Sequence, residues 1–262
     1  MPRSSTTDLR QQAIPQHPEP SWSQLSRIPI EAREESLVPM SLAPPPVRVY
    51  PAYARMEIPG AVNECHVREE VYRRLLAVAR ALPAGLTLLV LDGWRPWRVQ
   101  QYLFETLSET IRETHPGISD DKLLERTREF VSLPSTDASA PSPHLTGGAV
   151  DVTLCDADGL PLEMGSLFDE ATATSHTAAF EGRLDLTPDQ ISARDNRRLL
   201  YHNMLAQGFT NLPSEWWHFD FGDQLWAWYG GHDRALYGPA EPEGVASRWR
   251  RQFEQAASHG GT

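Results

Sequence analysis

The apolar positions of this chain change period along its length. Between residues 67 and 82, Val67, Val71, Leu75, Val78, Ala79 and Leu82 recur at three- and four-residue intervals. That spacing predicts a helix with one buried face, which Pro83 and Gly85 bring to an end. The run Leu86-Thr87-Leu88-Leu89-Val90-Leu91 then predicts a buried strand closing on Asp92-Gly93. Pro96 is placed to open a second helix through about Thr114, with Val99, Leu103, Leu107 and Ile111 inward, and residues 120–131 predict a third.

After Gly147-Gly148 the period falls to two. Val150, Val152 and Leu154 point to one side and Ala149, Asp151 and Thr153 to the other, an alternating strand that ends at an Asp156-Ala157-Asp158-Gly159 turn. Thr187-Pro188-Asp189-Gln190 carries a capping box with proline at the first helical position, and Gly208 is placed to close that helix. A last strand is expected over residues 215–221. Short strands separated by helices predict an α+β fold, a mainly antiparallel sheet flanked by helices.

Nine of the 22 prolines fall at or before residue 46. Such a stretch predicts an extended or partly disordered arm over residues 1–46 that wraps the domain rather than regular helices. The domain proper is expected over residues 47–240 and a C-terminal tail over 241–262. At 262 residues, with 40% hydrophobic and 23% charged positions, the chain suits one globular domain with appendages. The 24 Lys+Arg against 35 Asp+Glu give a net charge of −11, which argues against nucleic acid or an anionic membrane as partner. Cys65 and Cys155 support neither a disulfide framework nor a zinc finger. No stretch has the length and apolarity of a signal-peptide core or a membrane span, so a cytoplasmic location is expected. The eight tryptophans, Trp216, Trp217, Trp226 and Trp228 among them, are expected in the core and pocket walls.

Candidate chemistry concentrates in three places. In Ser142-Pro143-His144-Leu145-Thr146-Gly147-Gly148-Ala149-Val150-Asp151, glycines let the loop fold His144 back over the strand toward Asp151. His218 lies on the same side of the last strand as Asp220. If the two strands are neighbours, His144, Asp151 and His218 converge as three metal ligands with a fourth position open, the pattern of a catalytic zinc ion. Glu215 stands three residues before His218, an odd spacing that places it at the strand's entry, where Pro213-Ser214 can turn it toward the metal as a general base. Arg95, in Asp92-Gly93-Trp94-Arg95-Pro96, could hold an oxyanion or simply pair with Asp92 to stabilise a turn. His66, His115, His176, His202 and His232 have no partner at ligand spacing.

Ser142-x-His144-x-x-Gly147-x-Ala149-x-Asp151, Asp92-Gly93-Trp94-Arg95-Pro96 and Glu215-Trp216-Trp217-His218 together resemble the zinc D-alanyl-D-alanine dipeptidases of the VanX type, relatives of the zinc DD-carboxypeptidases. Residues 164–169, Ser175-His176 and Asn196-Arg197-Arg198 follow in the order of that family. The N-terminal arm is longer than the family's. The resemblance implies a DD-peptidase or hedgehog-like fold, a zinc cofactor on His144, Asp151 and His218, Glu215 as general base and Arg95 as stabiliser of the tetrahedral intermediate. It also implies Asp169 near the substrate's ammonium, Ser142 near the substrate, and a small D,D-dipeptide as substrate. A DD-carboxypeptidase acting on longer wall peptides, and a zinc-binding module without activity, are the alternatives. Oligomeric state is left open.

Overall fold

Strand β5 (Ala149–Cys155) is buried along its whole length, and the other elements are arranged around it. In the computed structural model, residues 8–259 are described; residues 1–7 of the expected arm and 260–262 of the expected tail lie outside the described residues. The sheet runs β2 (Val47–Val49), β4 (Thr87–Asp92), β5, β7 (His218–Asp220), β6 (Thr210–Asn211). The β2–β4 pair is parallel and the other three pairs are antiparallel, so the fold is α+β with a mainly antiparallel sheet. A separate ribbon pairs β1 (Leu37–Pro39) with β3 (His66–Arg68).

The apolar side of the sheet carries Leu88, Val90, Val150, Val152 and Leu154. It packs against Val71, Leu75 and Val78 of α3 (Glu69–Ala81) and Leu199, Leu200 and Met204 of α6 (Pro188–Ala206). The other side of β5 is polar in sequence but no less buried, because Asp151 and Thr153 lie beneath the loops that build the site. Burial on both faces is therefore a tertiary property that alternation alone does not reveal. The capping box of α6 is formed: the Thr187 hydroxyl accepts from Gln190 N at 3.3 Å, and the Gln190 carboxamide accepts from Thr187 N at 3.1 Å.

Three expectations are corrected. Val67 belongs to β3, so the helix begins at Glu69, two residues after the start of the periodic pattern. The last strand is only His218–Asp220, because Glu215 N bonds to Leu212 O and His218 N to Glu215 O, closing two successive turns ahead of it. The arm is not wholly extended. It forms the short helix α1 (Trp22–Leu25) and buries Ile14, Leu25 and Met40 against the rest of the chain. The C-terminal segment forms helix α8 (Val245–His259), which leaves Trp249 and Phe253 exposed. Among the described residues, no helix is long and apolar enough to cross a membrane.

A bulge between Val90 and Asp92 shifts the β4–β5 register so that Asp92 faces Asp151. Just beyond it, Trp94 N bonds to His66 O at 2.6 Å, and a Cβ on Gly93 would stand 2.4 Å from that same carbonyl. No side chain fits there without moving β3. Gly93→Ala is accordingly expected to cost ~1–3 kcal/mol by overpacking. In urea titrations the unfolding midpoint should fall with the slope unchanged; an unaltered midpoint would show that the ribbon tolerates the displacement.

Candidate active site

Antiparallel pairing of β5 with β7 sets Asp151 directly opposite His218. The third member, His144, comes from a single 3-10 turn (Pro143–Thr146) that Gly147 ends in the left-handed region at φ +72°. The ligand atoms then form a triangle. His144 Nε2 lies 3.1 Å from His218 Nδ1, His218 Nδ1 lies 3.2 Å from Asp151 Oδ1, and Asp151 Oδ1 lies 3.5 Å from His144 Nε2. A tetrahedral divalent ion with bonds of ~2.0–2.1 Å requires ligand–ligand edges of about 3.3–3.4 Å. The three edges bracket that value, so the triad fits a metal ion on geometry.

The remaining nitrogen of each imidazole is already committed, which fixes the tautomer. His144 Nδ1 donates to Gly93 O at 2.8 Å and His218 Nε2 to Asp220 Oδ1 at 2.8 Å, so that His144 Nε2 and His218 Nδ1 are the atoms directed into the triangle. Burial alone would lower the pKa of His218, but Asp220 and Asp151 outweigh it and raise it well above the ordinary value. Burial would likewise raise Asp151, yet His144 and His218 hold its carboxyl well below the usual carboxylate range. Behind Asp220 stands Asp223, the N-cap of α7 (Gln224–Gly230), where it accepts from Trp226 N at 2.9 Å. Burial first, and the Asp220 charge second, push the Asp223 carboxyl far up. The Oδ2 atoms of Asp220 and Asp223 are both buried without a hydrogen-bond partner among the described residues.

Arg95 is the cation that balances this acidic centre. Its Nε donates to Asp92 Oδ2 at 2.7 Å, Nη1 to Gln100 Oε1 at 2.8 Å and Nη2 to Asp151 Oδ2 at 3.0 Å, while the Tyr53 ring lies 4.6 Å beneath it. The turn-stabilising pair with Asp92 thus exists, but the guanidinium also reaches Asp151. One hydrogen on each terminal nitrogen remains uncommitted. Glu215 reaches the same cavity, with Oε2 3.8 Å from His218 Nδ1. Loss of hydration raises its pKa to about 8, with Asp151 and Asp169 adding to the effect while His218 and Arg95 oppose it.

Asp169 lines the cavity from a left-handed turn at φ +63°. Loss of hydration raises its carboxyl above the ordinary value, against Arg95, and solvent still reaches the residue. It caps no helix: the backbone of this turn is held instead by Glu170, which accepts from Leu167 N and the Thr172 hydroxyl. Ser142 is not brought to the cluster. Its hydroxyl donates to Leu133 O at 3.1 Å and accepts from Ser135 N at 2.8 Å, stapling the loop that leads into the His144 turn. Sequence reasoning gave no role to Tyr53, Gln100 or Asp223. Tyr53 lies beyond the recognised motifs, and the other two carry no periodic or spacing signal. Trp216 and Trp217 are buried, stacked edge to face with each other.

Residues 56–235 match the peptidase M15 family, D-Ala-D-Ala dipeptidase, over more than half of the chain. The chain belongs to the D-Ala-D-Ala dipeptidase family. Among curated members it is 34% identical over 154 residues to the D-alanyl-D-alanine dipeptidase of Synechocystis sp., covering 54% of this chain and 62% of that protein. It is 30% identical over 144 residues to the Escherichia coli D-alanyl-D-alanine dipeptidase, covering 55% and 60% respectively, so these matches span less than two thirds of either relative. Against the Enterococcus faecium dipeptidase it is 30% identical, covering 57% of this chain and 69% of the relative. A solved structure of VanYB in complex with D-alanine-D-alanine overlays with a TM-score of 0.40 at 18% identity, covering 65% of this chain and 81% of that one, a likeness too distant to bear on the site. Every member of the triad, with Arg95, Asp169 and Glu215, lies inside the family segment; Tyr53 precedes it.

The hydrogen bond from His218 to Asp220 fixes the ring that completes the triangle. Asp220→Asn is expected to weaken binding of a divalent ion ~10–100-fold, and His218→Ala to remove the rise in Tm that the ion confers on stripped protein. Isothermal titration and thermal melts read both; an Asp220→Asn variant with unchanged affinity would show that the ring is oriented without that partner.

Proposed function

We propose that this protein is a zinc-dependent dipeptidase that hydrolyses free D-Ala-D-Ala or a closely related D,D-dipeptide. The observation that carries the reading is the triangle of His144 Nε2, Asp151 Oδ1 and His218 Nδ1, with edges of 3.1 to 3.5 Å, beside a half-buried carboxyl group three residues before the last ligand. Family membership supports the choice of substrate class.

Zinc on two imidazoles and one carboxylate, with a coordination position left open, supplies Lewis acidity and lowers the pKa of water toward neutrality. The protein's own groups do the rest. Glu215 takes one proton from the attacking water as its oxygen bonds to the amide carbon, and returns that proton to the amine nitrogen as the C–N bond breaks. A cation on the triad favours the ionised form of Glu215 that this step needs. Arg95, fastened at three points, presents its two free N–H groups to the developing oxyanion without having to be ordered during the reaction. Asp169, at the cavity wall, pairs with the free ammonium of the dipeptide. A cytoplasmic workplace accords with this reading and is open to cell fractionation.

Purified protein is expected to hold about one zinc ion per chain. Glu215→Gln and Arg95→Lys should each lower kcat by ~10² or more while zinc content stays constant, since both groups act on the transition state. Metal analysis paired with steady-state kinetics on D-Ala-D-Ala decides this; full turnover after exhaustive chelation would overturn the reading.

The role of Asp169 is separable. A free dipeptide should be cut and its N-acetyl form spared, and the ratio of their kcat/KM values should shrink in Asp169→Asn, because the charge that favours an ammonium partner is removed. An unchanged ratio in that variant would remove Asp169 from substrate selection.

A further inference from the structure

The arm that precedes the family segment reaches the catalytic cavity. Trp22, the first residue of α1, lines the same space as His144, His218, Glu215 and Asp169. It lies more than thirty residues ahead of residue 56, where the match to the family begins. The side chain is half-buried, with the Arg128 guanidinium 5.4 Å from its ring centre. It packs on the cluster formed by Leu25, Leu212 and Leu225.

The backbone on both sides of α1 is tied down. Tyr229 Oη donates to Pro18 O at 3.1 Å and Gln224 Nε2 to Ile28 O at 2.7 Å. Ala235 N then bonds to Pro29 O and Glu31 N to Ala235 O, both at 2.9 Å. The ring is thus presented by an anchored segment. The free volume of the cavity is about 20 Å³, room for roughly one water molecule. His144, His218, Arg95, Asp169 and Glu215 line that space, and Trp22 with Leu103, Phe130, Leu212 and Leu225 gives its lining an apolar part. A dipeptide must displace part of this lining, of which the Trp22 ring is the largest apolar member.

We infer that Trp22 is a specificity-determining residue: its indole, the largest apolar side chain lining the cavity that His144 and His218 enter, limits the substrate to short peptides with small side chains. The inference rests on the dipeptidase reading for the identity of the substrate, and on the cavity alone for the limit on size. Removing the indole should therefore favour larger ligands over smaller ones, whereas a ring that merely anchors the arm would, when lost, lower stability and weaken all ligands alike. Hydrophobic pockets discriminate by about 10- to 200-fold per methylene-sized change, which sets the scale expected.

The test uses the full-length zinc-loaded protein and its Trp22→Ala and Trp22→Phe variants. Turnover is compared for D-Ala-D-Ala, D-Ala-D-Leu and D-Ala-D-Ala-D-Ala, and binding of acetohydroxamate is compared with that of benzohydroxamate by calorimetry. In Trp22→Ala the preference for the smaller member is expected to fall by about tenfold or more in both assays, with Trp22→Phe between it and the wild type. A size preference that stays constant in both variants overturns the inference, whether or not dipeptides are cleaved. Absence of dipeptide turnover in the wild type overturns the dipeptidase reading instead, and the hydroxamate ratio still decides the role of Trp22. Should Trp22→Ala fail to fold, Trp22→Phe retains an aromatic anchor and reads the same ratio.

Discussion

The carboxylate of Asp151 sits at the middle of the sheet, buried, on a strand with no solvent on either side. A charge in that position is tolerated only when it is surrounded by donors and cations, since its desolvation costs several kcal/mol. Two imidazoles and one guanidinium meet that demand, and each comes from a different part of the chain. His218 arrives by strand register, His144 by a glycine-terminated turn and Arg95 by the bulge that ends β4. The polar centre is therefore also a structural tie between three loops. The second rank of partners extends the same logic: Asp220 holds His218, and Gln100 and Asp92 hold Arg95. Each added group satisfies a polar atom that the previous one would leave exposed to an apolar interior.

Much of this was legible in the sequence, and the residues show why. The periodic helices and the capping box at Thr187 are local statements, written within a few residues, and the structure has them within two or three positions. The convergence of His144, Asp151 and His218 followed from the side on which each stands, given that β5 and β7 are neighbours. Glu215 at the mouth of the last strand followed from its odd spacing. What sequence periodicity did not carry was set by tertiary context. The strand over residues 215–221 shrank because two turns before His218 compete for the same backbone groups. Ser142 was drawn away by loop carbonyls that only the fold brings near. Tyr53 and Trp22 enter the cavity from outside the recognised motifs, where no spacing rule applies.

Asp169 shows how backbone conformation and chemistry combine. A left-handed conformation at a residue with a side chain is uncommon, and aspartate is among the residues that tolerate it best. At this turn it aims a short carboxylate at the cavity while Glu170, next in sequence, satisfies the turn's own hydrogen bonds. Of two adjacent acidic residues, one thereby faces the cavity and the other holds the turn.

The parallel edge strand β2, at residues 47–49, lies ahead of the segment that defines the family. It covers the outer edge of β4, where Tyr50 N also bonds to Val90 O. A recombinant fragment cut to the family boundary would strip that cover and leave the unpaired amides and carbonyls of an apolar strand facing other molecules, the condition under which sheets join edge to edge and aggregate. For this protein, the smallest unit that can be handled in solution therefore begins well before the smallest unit that can be recognised.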